Sequence, residues 1–151
     1  MIVRPYHPMA IILALGCNIG PRRRTLDLAC RYLERLGVHV ERRSRLYWTR
    51  PWGVTDQPDF LNAAIAVCTS RTPQQLLLLC LYVERLLGRR RLRHWGPRRL
   101  DIDLLLYGDF CLDSPELTLP HPGITQRDFV LEPLIDLGVA PLRDLAPPGW
   151  R

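Results

Sequence analysis

From Gly88 to Tyr107 the chain reads G-R-R-R-L-R-H-W-G-P-R-R-L-D-I-D-L-L-L-Y. Its second half, Leu100 to Tyr107, is apolar apart from two carboxylates and is bounded by Gly-Pro before and Gly-Asp after, the pattern of a short buried strand. Side chains at i and i+2 of a strand share a face, about 6.5 to 7 Å apart along it, so Asp101 and Asp103 open toward one spot. Carboxylates on a buried strand cost free energy unless they are compensated. A hard divalent cation compensates them, and Mg²⁺ typically takes one or two carboxylates while water and substrate phosphates complete its shell. Six arginines crowd the residues just before the strand, planar forks suited to the phosphate oxygens a metal leaves free. The same residues also describe a structural ion network between an Arg-rich loop and a strand, and the local pattern leaves both readings open.

Working outward, 151 residues suit one domain with a single core. Residues 1–9 hold two prolines and a histidine and lack the apolar core of a signal peptide, so an N-terminal extension is expected there and one domain over 10–151. The net charge of +6 comes from arginine alone, since no lysine occurs, and favours an anionic partner such as a nucleotide or nucleic acid. Cys17, Cys30, Cys68, Cys80 and Cys111 are widely spaced with no C-x-x-C, as reduced thiols of a cytoplasmic protein would be. No apolar run approaches the roughly 18 residues of a membrane span.

Ala10 to Leu15 reads as a buried strand running into the tight turn Gly16-Cys17-Asn18-Ile19-Gly20. Pro21 sits where a first helical residue should, and Leu26, Ala29, Leu33 and Leu36 make one apolar stripe on a helix ended by Gly37. Val38 to Trp48 reads as a single edge strand. Thr49 to Phe60, with Pro51, Gly53 and Pro58, reads as a lid or binding loop. Asn62 to Thr69 suits an inner strand. Thr72-Pro73-Gln74-Gln75 is a capping-box helix start, and Leu76, Leu79, Cys80, Val83 and Leu87 form the apolar side of the helix it opens. A short hairpin over Asp109 to Leu117 and a helix over Gln126 to Leu137 follow. The order strand, helix, strand, strand, helix, strand is an α+β, ferredoxin-like βαββαβ arrangement: an antiparallel sheet with helices packed on one face, plus a C-terminal hairpin and helix.

Four separated motifs now resemble one family, the 6-hydroxymethyl-7,8-dihydropterin pyrophosphokinases of folate biosynthesis. They are Leu15-Gly16-Cys17-Asn18-Ile19-Gly20; Thr49-Arg50-Pro51-Trp52-Gly53 through Asp56-Gln57-Pro58-Asp59-Phe60-Leu61-Asn62-Ala63; Arg89 to Asp103 with Trp95-Gly96-Pro97-Arg98; and Leu119-Pro120-His121-Pro122 with Arg127 to Leu134. The resemblance implies transfer of the β,γ-pyrophosphoryl group of ATP to the hydroxymethyl group of the reduced pterin, releasing AMP. It implies two Mg²⁺ ions on Asp101 and Asp103, with Arg89 and Arg98 as catalytic arginines. Glu84, Arg91, Trp95, His121 and Arg127 match nucleotide-binding positions. Phe60 and Phe129 match the two stacking faces of the pterin slot, Asn62 the amide that reads the ring edge, and Thr49, Pro51 and Trp52 its rim. Cys17 stands where the family usually has serine, and Arg50 replaces the first of two prolines common in the pterin loop. A monomer is expected, able to associate with neighbouring folate-pathway enzymes, and neither nucleic acid nor membrane is expected as a partner.

The competing reading is a basic ferredoxin-like module that binds RNA on its sheet face. Such modules stack bases on aromatics of two central strands. Ala10 to Leu15 and Leu100 to Leu106 carry none, and aspartates there repel a phosphate backbone unless metals intervene.

Overall fold

The computed structural model describes residues 10–51, 56–88, 99–126 and 128–138. Its elements run β1 (Ile11–Cys17), α1 (Arg22–Arg35), β2 (His39–Arg43), β3 (Tyr47–Thr49), β4 (Phe60–Cys68), α2 (Pro73–Leu86), β5 (Asp101–Tyr107), β6 (Leu112–Asp113), β7 (Thr118–Leu119), α3 (Gly123–Gln126) and α4 (Asp128–Asp136). The main sheet is ordered β2-β4-β1-β5, with β3 also pairing β4, and each pairing is antiparallel. That is the ferredoxin-like arrangement expected from the sequence.

Residue alternation along the two inner strands divides the core. Leu13, Leu15, Leu61 and Ile65 point to the side covered by α1 and α2, where they meet Leu33 and Leu76. Their neighbours Ile12, Ala64 and Ala66 point the other way, onto Ile124 of α3 and Leu134 of α4. The sheet is thus covered on both sides. The helix packing envisaged for one face extends to the second because α4 carries its own apolar residues, and among the described residues α3 and α4 cover the part of that face around Ile12, Ala64 and Ala66. The β1–β5 register shifts between Ile12 and Leu13, and the irregularity sends both Leu105 and Leu106 to the α3–α4 side.

Local chemistry explains most element ends. Thr72 caps α2, its hydroxyl accepting from the Gln75 N–H while the Gln75 side chain accepts from the Thr72 N–H, a reciprocal capping box. α1 has no such side-chain cap and begins one residue later than Pro21 suggests, so Pro21 is its N-cap rather than its first helical residue. The edge strand expected over Val38 to Trp48 is two strands. Between them Ser44 puts its hydroxyl, not a backbone carbonyl, on the Ala64 N–H at 2.9 Å, so the side chain replaces a rung of the ladder. The inner strand begins two residues earlier than expected, which adds Phe60 and Leu61 to β4. The C-terminal helical stretch begins at Gly123, three residues earlier than expected, and is described on either side of residue 127 as α3 and α4.

Candidate active site

Register assembles a row of four residues across the sheet. Tyr47 of β3 lies opposite Asn62 of β4, Asn62 opposite Gly16 of β1, and Gly16 opposite Asp101 of β5. Directly opposed residues of antiparallel strands face the same side, so one surface carries a phenol, an amide, a gap and a carboxylate. With strands about 4.8 Å apart, Asn62 and Asp101 stand roughly 10 Å from each other across the glycine. Asp103 is one step along the same face, opposite Ala14. Gly16 and Ala14 put nothing bulky beside the two carboxylates, which are themselves half-buried.

The gap at Gly16 is required by its neighbours. A Cβ there would meet Asn62 Oδ1 at 2.7 Å and the Phe60 ring at 3.8 Å. The Asn62 amide is fixed in turn, its Nδ2 donating to the Thr49 hydroxyl, and the residue is only 8% exposed. Asn62, Thr49 and Phe60 therefore form one wall beside a glycine floor. Pro51 is half-buried at the rim of the same segment.

The turn after β1 ties that wall to the following loop. Asn18 is fully buried, and its Nδ2 donates to Gln57 Oε1 and to the Pro58 carbonyl, both at 2.8 Å. Arg22 donates to the Asn18 carbonyl at 3.0 Å and places its guanidinium 5.5 Å from the centre of the Trp48 ring. These braces escape a motif reading because each partner comes from another element; the only local hint is an asparagine in a glycine-bounded turn. Cys17 sits beside them, buried, with its thiol donating to the Arg22 carbonyl at 3.5 Å. Burial pushes the thiol up to about 11 despite the opposing Arg22 charge. Cys17 therefore stays protonated at neutral pH and serves as a weak donor at this turn.

Glu84, which matches a nucleotide-binding position of the family, is buried, and its Oε1 accepts the Ile102 N–H at 2.7 Å. Ile102 lies between the two aspartates, so Glu84 holds the backbone that aims them. The alternation of β5 sends Ile102 toward α2 while Asp101 and Asp103 face the other way, and that places Glu84 behind the strand.

His121 does reach the neighbourhood of β5. Its backbone N–H donates to the Leu105 carbonyl at 2.9 Å, and its Nδ1 accepts from the Gly123 N–H at 2.9 Å. A neutral ring so engaged carries its proton on Nε2. Leu119-Pro120, just before it, is a cis peptide. Arg99, the one arginine of the Gly88–Tyr107 stretch among the described residues, runs its side chain past Gly88 to Gly20, bringing a cation to the turn that follows β1. Arg89, Arg91, Trp95, Arg98, Trp52, Arg127 and the side chain of Phe129 lie outside the described residues, as do residues 1–9.

Among the described residues no group of three or more His, Cys, Asp or Glu side chains converges on a point, and no helix is long and apolar enough to cross a membrane. Two same-facing carboxylates with small neighbours fit a hard cation that draws its other ligands from water and phosphates better than they fit a closed protein cage.

A family model described as 7,8-dihydro-6-hydroxymethylpterin-pyrophosphokinase matches residues 12–139. A 2-amino-4-hydroxy-6-hydroxymethyldihydropteridine pyrophosphokinase of Methylorubrum extorquens is 47% identical over 126 residues, 83% of this chain and 80% of the relative. One from Aquifex aeolicus is 39% identical over 127 residues, covering 84% and 79%. A mitochondrial folate synthesis bifunctional protein of Arabidopsis thaliana is 45% identical over 127 residues, 84% of this chain but 23% of that protein. The chain thus spans about a quarter of the length of the plant bifunctional relatives it matches.

Proposed function

The chain belongs to the 7,8-dihydro-6-hydroxymethylpterin-pyrophosphokinase family, and on that premise we propose that it transfers the β,γ-pyrophosphoryl group of ATP to 6-hydroxymethyl-7,8-dihydropterin. The observation that carries the reading is the row Asn62, Gly16, Asp101. It sets an amide able to read a flat ring and a carboxylate able to serve phosphate chemistry on either side of a glycine floor.

In this reading the pterin lies with a ring face on Phe60, and the Asn62 amide pairs with its edge. The Thr49 hydroxyl keeps that amide in one orientation. The hydroxymethyl arm then extends toward β5. Its oxygen attacks the β-phosphorus, the bond from that phosphorus to the oxygen bridging the α- and β-phosphates breaks, and AMP leaves with the electron pair; the hydroxyl proton goes to solvent. Asp101 and Asp103 would hold Mg²⁺, two ions by family resemblance, while Glu84 keeps their strand in register; when bound, the metal would supply charge neutralisation on the triphosphate and ease deprotonation of the substrate hydroxyl. His121 offers its Nε2–H to a phosphate oxygen. Arg89 and Arg98 carry the charge that develops on the leaving phosphate, while Arg91, Trp95 and Arg127 complete the nucleotide site. Phe129 supplies the second ring face, and Pro51 and Trp52 the rim.

Five free cysteines fit a reducing compartment such as the cytoplasm. The bifunctional relatives place the same segment within a longer folate synthesis protein, which fits association with a neighbouring folate enzyme. Asp103→Asn tests the assignment. Turnover should fall to near background, with Mg²⁺-dependent nucleotide binding weakened and the fold intact, because removing one charge from a carboxylate pair relieves repulsion. Normal turnover of that variant would remove the metal role from Asp103.

A further inference from the structure

At the far end of the same row from Asp101 is a cluster that the reaction above does not use. Asp136, the last residue of α4, is 13% exposed at its side chain. Arg45, in the break between β2 and β3, approaches it as a fork, with Nη2 at 2.9 Å from Oδ1 and Nε at 3.2 Å from Oδ2. The Arg45 backbone N–H donates to Oδ2 at 3.0 Å, and the Tyr47 hydroxyl donates to the same oxygen at 2.5 Å. A carboxylate at a helix C-terminus stands at the negative end of the helix dipole and works against the helix. Here several donors from one strand segment offset that cost.

The elements so joined bear on the pterin slot. Tyr47 is the cross-strand partner of Asn62, and Thr49, which holds the Asn62 amide, is two residues further along β3. Asp136 closes α4, whose second residue, Phe129, lies seven positions earlier and about 10 Å back along the helix axis. α4 has Pro133 inside it, and a helix lacking one internal hydrogen bond leans on tertiary contacts for its place. We propose that Arg45, Tyr47 and Asp136 are positioning residues that set the spacing between the β3–β4 wall of the pterin slot and α4, and so determine affinity for the pterin rather than for the nucleotide. The inference rests on the pyrophosphokinase reading and adds to it a residue set that touches neither substrate.

The cluster holds its charge state over the working range: the Arg45 fork first, then the Tyr47 hydroxyl, keeps the Asp136 carboxyl down at about 2. Loosening it would let the two walls drift while leaving β5 in place, since the carboxylate pair is braced separately by Glu84.

The test is steady-state kinetics of AMP formation with Asp136→Asn and, as the milder change, Tyr47→Phe, with pterin and ATP varied separately. Calorimetric titration of each variant with the reduced pterin, in the presence of a non-hydrolysable ATP analogue, gives a readout apart from turnover. For Asp136→Asn the expected result is a pterin KM and Kd raised about tenfold or more, the effect of a sub-ångström misplacement, with the ATP KM within about twofold. Tyr47→Phe should move the pterin constants the same way by less. Should Asp136→Asn fail to fold, Tyr47→Phe decides the matter. Pterin and ATP constants that rise together, or a fall in thermal midpoint with both unchanged, would overturn the proposal and leave the cluster a plain structural tie. A wild-type protein that forms no AMP with pterin present would overturn the activity itself and the inference with it, whereas wild-type turnover with unaltered pterin constants in both variants would overturn the inference alone.

Discussion

Replacing Gly16 by alanine adds one methyl group at the centre of the site. The new Cβ would stand 2.7 Å from Asn62 Oδ1, while ordinary contact begins at 3.4 Å, so atoms must part by about 0.7 Å. The backbone can accept alanine, because Gly16 is absent from the glycines with positive φ, and the entropy gain of Gly→Ala would by itself stabilise the strand by about 0.5–1 kcal/mol. Against that, Asn62 cannot move freely. It is buried and its amide is held by Thr49, and giving up that hydrogen bond inside the fold costs about 1–3 kcal/mol. The loss should win, with a net destabilisation of about 1–2 kcal/mol. The effect on function should be larger in proportion, because Asn62 is the group proposed to read the pterin edge, and a shift approaching 1 Å in a positioned group costs on the order of 10- to 100-fold. Denaturant unfolding measures the first quantity and kcat/KM for the pterin the second. If Gly16→Ala were as stable as wild type and bound pterin equally well, the account of the glycine floor and the Asn62 wall would be wrong.

Glu84→Ala strands the buried Ile102 N–H and should destabilise by about 1–3 kcal/mol in chemical denaturation, whereas Glu84→Gln keeps an acceptor and should lose less; equal losses would deny the carboxylate its hold on β5. Acid stability carries the Asp136 signature. Its folded pKa of about 2 lies below the ordinary 3.8, so the unfolded state binds the extra proton and the stabilisation is present above about pH 5, then lost as pH falls through 3.8 toward 2. Thermal midpoints of wild type should drop across that window more steeply than those of Asp136→Asn, and parallel curves would contradict it. Burial pushes Cys17 up to about 11 and Cys80 up to about 12 and also raises Cys30, while Cys68 and Cys111 are exposed. A thiol reagent at pH 8 should therefore modify two cysteines quickly and three only after denaturation, and fast reaction of Cys17 would contradict its burial.

The parts of the fold that were legible in the sequence are those whose signals are local. Thr72-Pro73-Gln74-Gln75 names its own helix start because both capping bonds lie within four residues, and the i, i+2 spacing of Asp101 and Asp103 fixes a shared face whatever the neighbouring strands do. The division of the edge strand was not legible, since it depends on Ser44 meeting the N–H of Ala64 twenty positions away. The bond from Ile102 to Glu84 was not legible either, since it depends on which face of β5 turns toward α2, a matter of packing. The Arg45–Asp136 contact joins residues 91 positions apart, and nothing near either residue announces it. Asn62 and Phe60 stand together in the family motif, but what lets both lie so close to β1, a bare Gly16 on that strand, emerges only with the register.

The most direct test of pyrophosphoryl transfer is the identity of the products. Phosphorus NMR of the protein incubated with ATP, Mg²⁺ and 6-hydroxymethyl-7,8-dihydropterin should show AMP and a pterin diphosphate appearing in equal amounts, with neither formed when the pterin is omitted. ADP with a pterin monophosphate, or ATP cleavage that ignores the pterin, would contradict the account.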